Sequence, residues 1–150
     1  MLGAGRLIRS MEQAAASALV LCGAAQAFAQ DAPLILPSGV QASYYDIIWD
    51  EDLSVIRLRY VVPQLAEPES LYHADALRVF EDMEWLCETQ MQNVFAAGED
   101  AREQGWESVV VTLMDRPIEF GMRDAEIFQL FEWFSLSMDG CEPELDEYHD

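Results

Sequence analysis

The stretch from Tyr72 to Ala97, YHADALRVFEDMEWLCETQMQNVFAA, constrains this chain more than any other, because it carries the only long uninterrupted helical pattern. Leu77, Phe80, Met83, Cys87, Met91 and Val94 recur at steps of three or four and so share one face. A cysteine therefore belongs to the face that packs on the core. Ser70 or Asp75 is the expected N-cap, and Gly98 or Gly105 the expected stop. At the standard rise such a helix spans ~39 Å, enough to lie across a sheet of ten-residue strands of ~33 Å.

The flanking segments read as strands. Val40 to Trp49 is rich in aromatic and β-branched residues, and Asp50-Glu51-Asp52 supplies a polar turn. In LSVIRLRYVV, Ile56, Leu58, Tyr60 and Val62 face one way and Arg57 and Arg59 the other, as in a half-buried antiparallel strand. Pro63 ends the hairpin, and Gln64 to Ser70 is a crossover loop. Glu107 to Met114, with three valines and a threonine, reads as an interior strand. Asp115 to Asp124 is a longer connection punctuated by Pro117 and Gly121. Ala125 to Met138 is open between helix and strand. Its aromatics and the alternate spacing of Phe128, Leu130, Phe134, Leu136 and Met138 favour strand, with Glu132 the one break. The expected fold is thus α+β: a ββαββ order, a mainly antiparallel four-stranded sheet, and one long helix packed on one face.

Before this domain the chain opens like an export signal. Arg6 and Arg9 precede a small and apolar run from Ala14 to Ala25, and Ala27-Phe28-Ala29 forms a small-x-small cleavage pattern, although Glu12 is unusual so close to the run. The run is about a dozen residues, short of the roughly twenty that a spanning helix needs. Leu21 before Cys22 is not small, which disfavours lipidation. The expected organisation is a cleavable signal at 1–29, an extended leader at 30–39, one α+β domain at 40–141 and an acidic mobile tail at 142–150. The expected location is periplasmic or secreted, with no membrane span after cleavage.

Charge narrows the partners. The formal net charge is −20, from 28 acidic and 8 basic residues, and loss of Arg6, Arg9 and Glu12 with the signal adds one more unit of excess acid. A chain this acidic is repelled by nucleic acid and by anionic membranes. Solubility alone accounts for the charge, and so does an acidic face for a basic partner or cation; composition does not separate the two. Cys87 and Cys141 survive removal of Cys22 as an even pair, which outside the reducing cytosol is expected to be bridged, the alternative being two buried thiols. The closed loop is long, and the chain-entropy account credits it with ~4 kcal/mol.

The chain resembles a family of small exported bacterial domains of unknown function. The resemblance is carried by Pro37-Ser38-Gly39, Trp49-Asp50 with RLRYVVP, Asp82-Met83 with Leu86-Cys87-Glu88, LMDRPIEFG at Leu113 to Gly121, Gln129 with Phe131-Glu132, and Asp139-Gly140-Cys141. It implies a self-contained, disulfide-bearing exported domain and brings no catalytic residue.

Of the candidate chemistry, the connection holding Asp115, Arg116, Phe120 and Gly121 is the best recognition surface. An Asp at a strand exit caps a turn, an Arg grips a carboxylate or phosphate, and a Gly lets a backbone come close. The structural alternative has Asp115 capping, Arg116 paired with a nearby acid and Phe120 plugging the core edge. No metal site or cofactor is expected: His73 and Asp75 stand two apart and do not share a helix face, and His149 lies in the tail. No G-x-S-x-G, phosphate loop or dinucleotide fingerprint is present. Two functions follow. The first is a non-enzymatic module that binds another exported protein or a peptide through that loop, the sheet edge or the acidic face. The second is a small hydrolase or ligand-binding protein with a carboxylate-lined pocket between helix and sheet. The oligomeric state is not legible.

Overall fold

The computed structural model describes residues 32–144. The expected signal at 1–29 and residues 145–150 of the expected tail lie outside the described residues. Six strands form one curled, half-barrel sheet in chain order: β1 (Leu34–Ile35), β2 (Gln41–Asp50), β3 (Val55–Val61), β4 (Ser108–Met114), β5 (Gln129–Leu136) and β6 (Cys141–Pro143). Between β3 and β4 lie a single helical turn, α1 (Leu71–Ala74), and the main helix, α2 (Ala76–Val94).

This corrects the four-stranded, mainly antiparallel sheet expected from sequence. The sheet has six strands and is mixed, because β3 and β4 run parallel while every other neighbouring pair is antiparallel. The cause is the helix itself. β3 carries the chain to one end of the sheet, and α2, 19 residues or ~29 Å, carries it back. β4 therefore starts beside the start of β3, where Glu107 N donates to Ser54 O at 2.9 Å. A strand, a returning helix and a neighbouring strand can only be parallel.

The two additional strands are short edge pieces. Leu34–Ile35 pairs with Ala42 and Gln41, across a tight turn closed by Gly39, whose φ is 86°; that conformation suits a residue without Cβ. β6 follows the bend at Asp139-Gly140 and pairs with Phe134 to Leu136. The main helix is also shorter than the expected span from Tyr72 to Ala97. Asp75 leaves helical geometry and caps α2 by accepting from Arg78 N at 3.2 Å, the ordinary use of an Asp at this position. At the other end Phe95 is extended, and its ring meets Trp49, which in turn packs on Trp106.

The core lies between α2 and one face of the sheet. Ile56, Leu58, Tyr60, Val109, Val111, Leu113 and Phe134 meet Val79, Met83, Leu86 and Cys87 of the helix. The buried stripe is turned relative to the one expected. Leu77 is 66% exposed, whereas Val79, Asp82, Leu86 and Gln90 are buried. Asp82 explains the turn. It is fully buried and accepts from Ser38 N at 2.9 Å, from Ser38 Oγ, and from Tyr72 Oη at 2.8 Å. A buried carboxylate needs such donors, and here they tie the segment before β2 to the helix. The Cys87–Cys141 disulfide, with Cα atoms 6.1 Å apart, fastens the same helix to β6.

Candidate functional site

The strand registers build the site, which lies on the sheet face away from α2. Ile48, Arg57, Val110 and Trp133 stand in one cross-strand row, and Asp46, Arg59, Thr112 and Phe131 in the next. Side chains in one row lie on one face. The arginines that sequence analysis set on the outer side of β3 thus stand mid-sheet, each opposite or beside an acid of β2. The connection between β4 and β5 folds back over them.

Arg59 anchors that connection. It is 3% exposed, and its Nη1 donates to both carboxylate oxygens of Asp46 at 3.1 and 2.9 Å. Its Nη2 donates to the carbonyl oxygen of Ile118, holding the loop down. A register shift between Tyr44 and Asp46 leaves Tyr45 as a bulged residue, and its ring centroid is 5.2 Å from the Arg59 guanidinium. Bulges commonly re-aim a side chain in this way.

Arg57 is arranged differently. Its Nε and Nη2 donate to Asp50 Oδ2 at 3.0 and 2.7 Å. Its guanidinium lies 5.2 Å from the Phe120 centroid and 5.5 Å from that of Trp133, within the range of cation–π attraction. Nη1 has no hydrogen-bond partner among the described residues. Beside it is a cleft of about 390 Å³, bounded by the β4–β5 connection and β5 and lined chiefly by Arg57, Thr112, Phe120, Arg123, Phe131 and Trp133. Phe120, Met122 and Phe131 are 51%, 59% and 61% exposed, a local concentration of bare apolar surface.

Of the four loop residues expected to recognise a ligand, the structure brings two to the cleft and leaves two away from it. Phe120 and Gly121, the latter with φ 82°, line it. Asp115 is buried, and Arg116 pairs with it at 3.0 Å. That hydrogen bond and charge raise the Arg116 pKa. Arg116 Nη2 also donates to Glu126 O at 3.3 Å, so the pair braces the base of the connection. Sequence reasoning missed Arg57, Arg59, Arg123 and Phe131 as site residues. The signal was present in part: Asp46, Asp50, Arg57 and Arg59 share strand parity across a short hairpin, which pairs two acids with two of few cations.

A second cleft, about 460 Å³, lies between the end of α2 and the bend before β6, with Glu88, Glu99, Asp100 and Asp139 among its lining. Two of these acids serve the backbone: Glu99 accepts from Ala96 N at 3.0 Å and Asp100 from Arg102 N at 2.8 Å. Among the described residues no three His, Cys, Asp or Glu side chains are grouped to hold a metal ion. His73 Nε2 donates to Leu65 O at 2.9 Å, and its ring packs edge-on to Phe128. No described helix is long and apolar enough to cross a membrane.

Three phenols are shifted. Burial, and then the charge of Asp46, raise the Tyr44 pKa. Burial and then Tyr44 raise that of Tyr60. Tyr72 is raised by burial first and by its hydrogen bond to Asp82 second.

No curated protein and no solved structure matches the chain. A family comparison matches residues 14–145, a span that takes in all of the described fold, and the chain therefore belongs to the Family of unknown function (DUF6497).

Proposed function

We propose that this chain is an exported, non-enzymatic module that binds another exported protein or a peptide, and that it does so at the arginine and aromatic cleft between the β4–β5 connection and β5. The observation that carries this reading is the setting of Arg57, held by two aromatic rings with Nη1 unpaired among the described residues, beside the exposed apolar surface of Phe120, Met122 and Phe131. Patches of that kind on a polar surface mark interaction sites, and arginine and aromatics are the residues that dominate binding energy. The polar groups lining the cleft are guanidiniums, the Gln129 amide and the Thr112 hydroxyl. None of these is a general base near neutral pH, so the set suits holding a ligand better than turning it over. The Cys87–Cys141 disulfide fits an oxidising compartment, and with the leader pattern of residues 1–29 it supports a periplasmic or secreted location.

The second reading, a carboxylate-lined pocket between helix and sheet, has its nearest counterpart in the cleft beside Cys141. It is the weaker one because Glu99 and Asp100 already cap turns there. The test is a pull-down from a periplasmic extract with the oxidised protein and with a Phe120→Ala, Phe131→Ala double variant, followed by rebinding of the purified partner. A partner held by the parent and lost by the variant is the expected result. A partner that binds both equally would remove the cleft from the reading.

A further inference from the structure

We infer that the cleft takes a single carboxylate carried on a peptide next to an apolar or aromatic side chain, gripped by Arg57 Nη1 and Arg123 while the apolar group lies on Phe131 and Trp133. The inference rests on the peptide-binding reading above and gives it a ligand class. Its first support is local charge. Among the described residues, three of the six arginines line this cleft and no acidic residue does. In so acidic a protein this is the surface on which an anion is accepted rather than repelled.

The arrangement also sets the charge of the ligand. Asp46 and Asp50 neutralise Arg59 and Arg57 from β2, and Arg123 is exposed with no ion pair to a described residue. The local sum is therefore a single positive charge. That suits a monoanion, whereas a phosphate dianion would be left half uncompensated against the background of a −20 chain. Arg59 is spent on Asp46, Met114 and the Ile118 carbonyl, so its part is to position the loop. Arg57 Nη1 has no partner among the described residues, and its two aromatic neighbours with Asp50 fix the plane in which that nitrogen donates. A guanidinium already immobilised loses little further freedom when it grips a carboxylate. The volume of about 390 Å³ lies at the lower end for ligand pockets, which fits one or two residues of a peptide.

The test is affinity selection by the full oxidised chain from a library of acetylated tetrapeptides with free carboxyl termini, from the same library amidated, and from amidated members containing Glu or phosphotyrosine. Members with one carboxylate beside an apolar residue should be enriched tenfold or more over matched amides, the usual scale for a hydrogen bond to a charged group. Enrichment in the free-acid arm assigns the carboxylate to a chain end, and in the Glu arm to a side chain; either supports the inference. Arg123→Gln, at an exposed position, should cut the preference of acid over amide severalfold, Arg57 Nη1 remaining to hold the acid, and Phe131→Ala should weaken the binding of acids and amides alike. If acids and amides bind equally, the carboxylate inference fails and peptide binding stands. If phosphotyrosine peptides are preferred, the monoanion argument is overturned. If no library is retained, the peptide-binding reading of the cleft fails as well.

Discussion

Reducing the Cys87–Cys141 bond should remove about 4 kcal/mol of stability. The bridge closes a loop with a sequence separation of 54, and constraining a loop of that size in the unfolded chain is worth about 14 cal/mol/K, or ~4 kcal/mol at 25 °C. Domains of this size have roughly 5–15 kcal/mol in total, so the reduced protein should be marginal. The loss also falls unevenly on the fold. β6 has three residues, and the bridge fastens it to α2; beyond it Glu144 accepts from Ser108 and Ser135, each at 3.0 Å. Urea unfolding followed by tryptophan fluorescence, with and without reductant, measures the effect. With a urea dependence of about 1.5 kcal/mol/M, the midpoint should fall by roughly 3 M. Cys87→Ala and Cys141→Ala should each reproduce most of that fall. The double variant should add little, because both remove one shared constraint. A reduced protein within about 1 kcal/mol of the oxidised one at the same slope would refute the reasoning, as would single-variant losses that sum in the double.

Four further outcomes are expected. Tyr60 is fully buried and its hydroxyl has no hydrogen-bond partner among the described residues, so Tyr60→Phe should stabilise by about 1 kcal/mol in the same unfolding assay. The folded-state pKa values of Tyr60 and Tyr72 lie above the ordinary value of 10.0. The folded chain thus keeps those protons longer than the unfolded one, and their contribution is present below about pH 10 and lost as pH rises further; a pH series of midpoints should fall above that point, less steeply in Tyr60→Phe. Asp82→Asn sets an amide among three donors, from Ser38 and Tyr72, and should cost about 3 kcal/mol, with faster amide exchange through β1; an unchanged midpoint would contradict the buried tie. Arg59→Met releases the Ile118 carbonyl and should speed tryptic cleavage after Arg123 in a time course; equal rates would show that the connection is held by other contacts.

Much of the local structure was legible. The alternation Ile56, Leu58, Tyr60, Val62 marked the buried face of β3, and all four are buried in the core. The aromatic run after Ala125 was open between helix and strand, and Gln129–Leu136 is a strand. Other features needed the third dimension. Leu77 falls on the apolar repeat yet is exposed, because the buried hydrogen bonds of Asp82 turn the helix to another face. The two-residue β1 is too short to show a period, and its pairing depends on the turn at Gly39. The cleft was half legible: Phe120 and Gly121 were singled out, but Arg57 and Trp133 come from strands 76 positions apart in number and meet only through the registers across β4.

The sequence by itself determined the alternation of β3, the helical repeat of α2, the inward place of Cys87 and the even cysteine pair, because these follow from side-chain spacing and count. Tertiary structure alone decided that β3 and β4 run parallel, since that depends on where the returning helix sets the chain down. It also decided that two strand arginines become a lined cleft, because the β4–β5 connection, held by Arg59, closes over them.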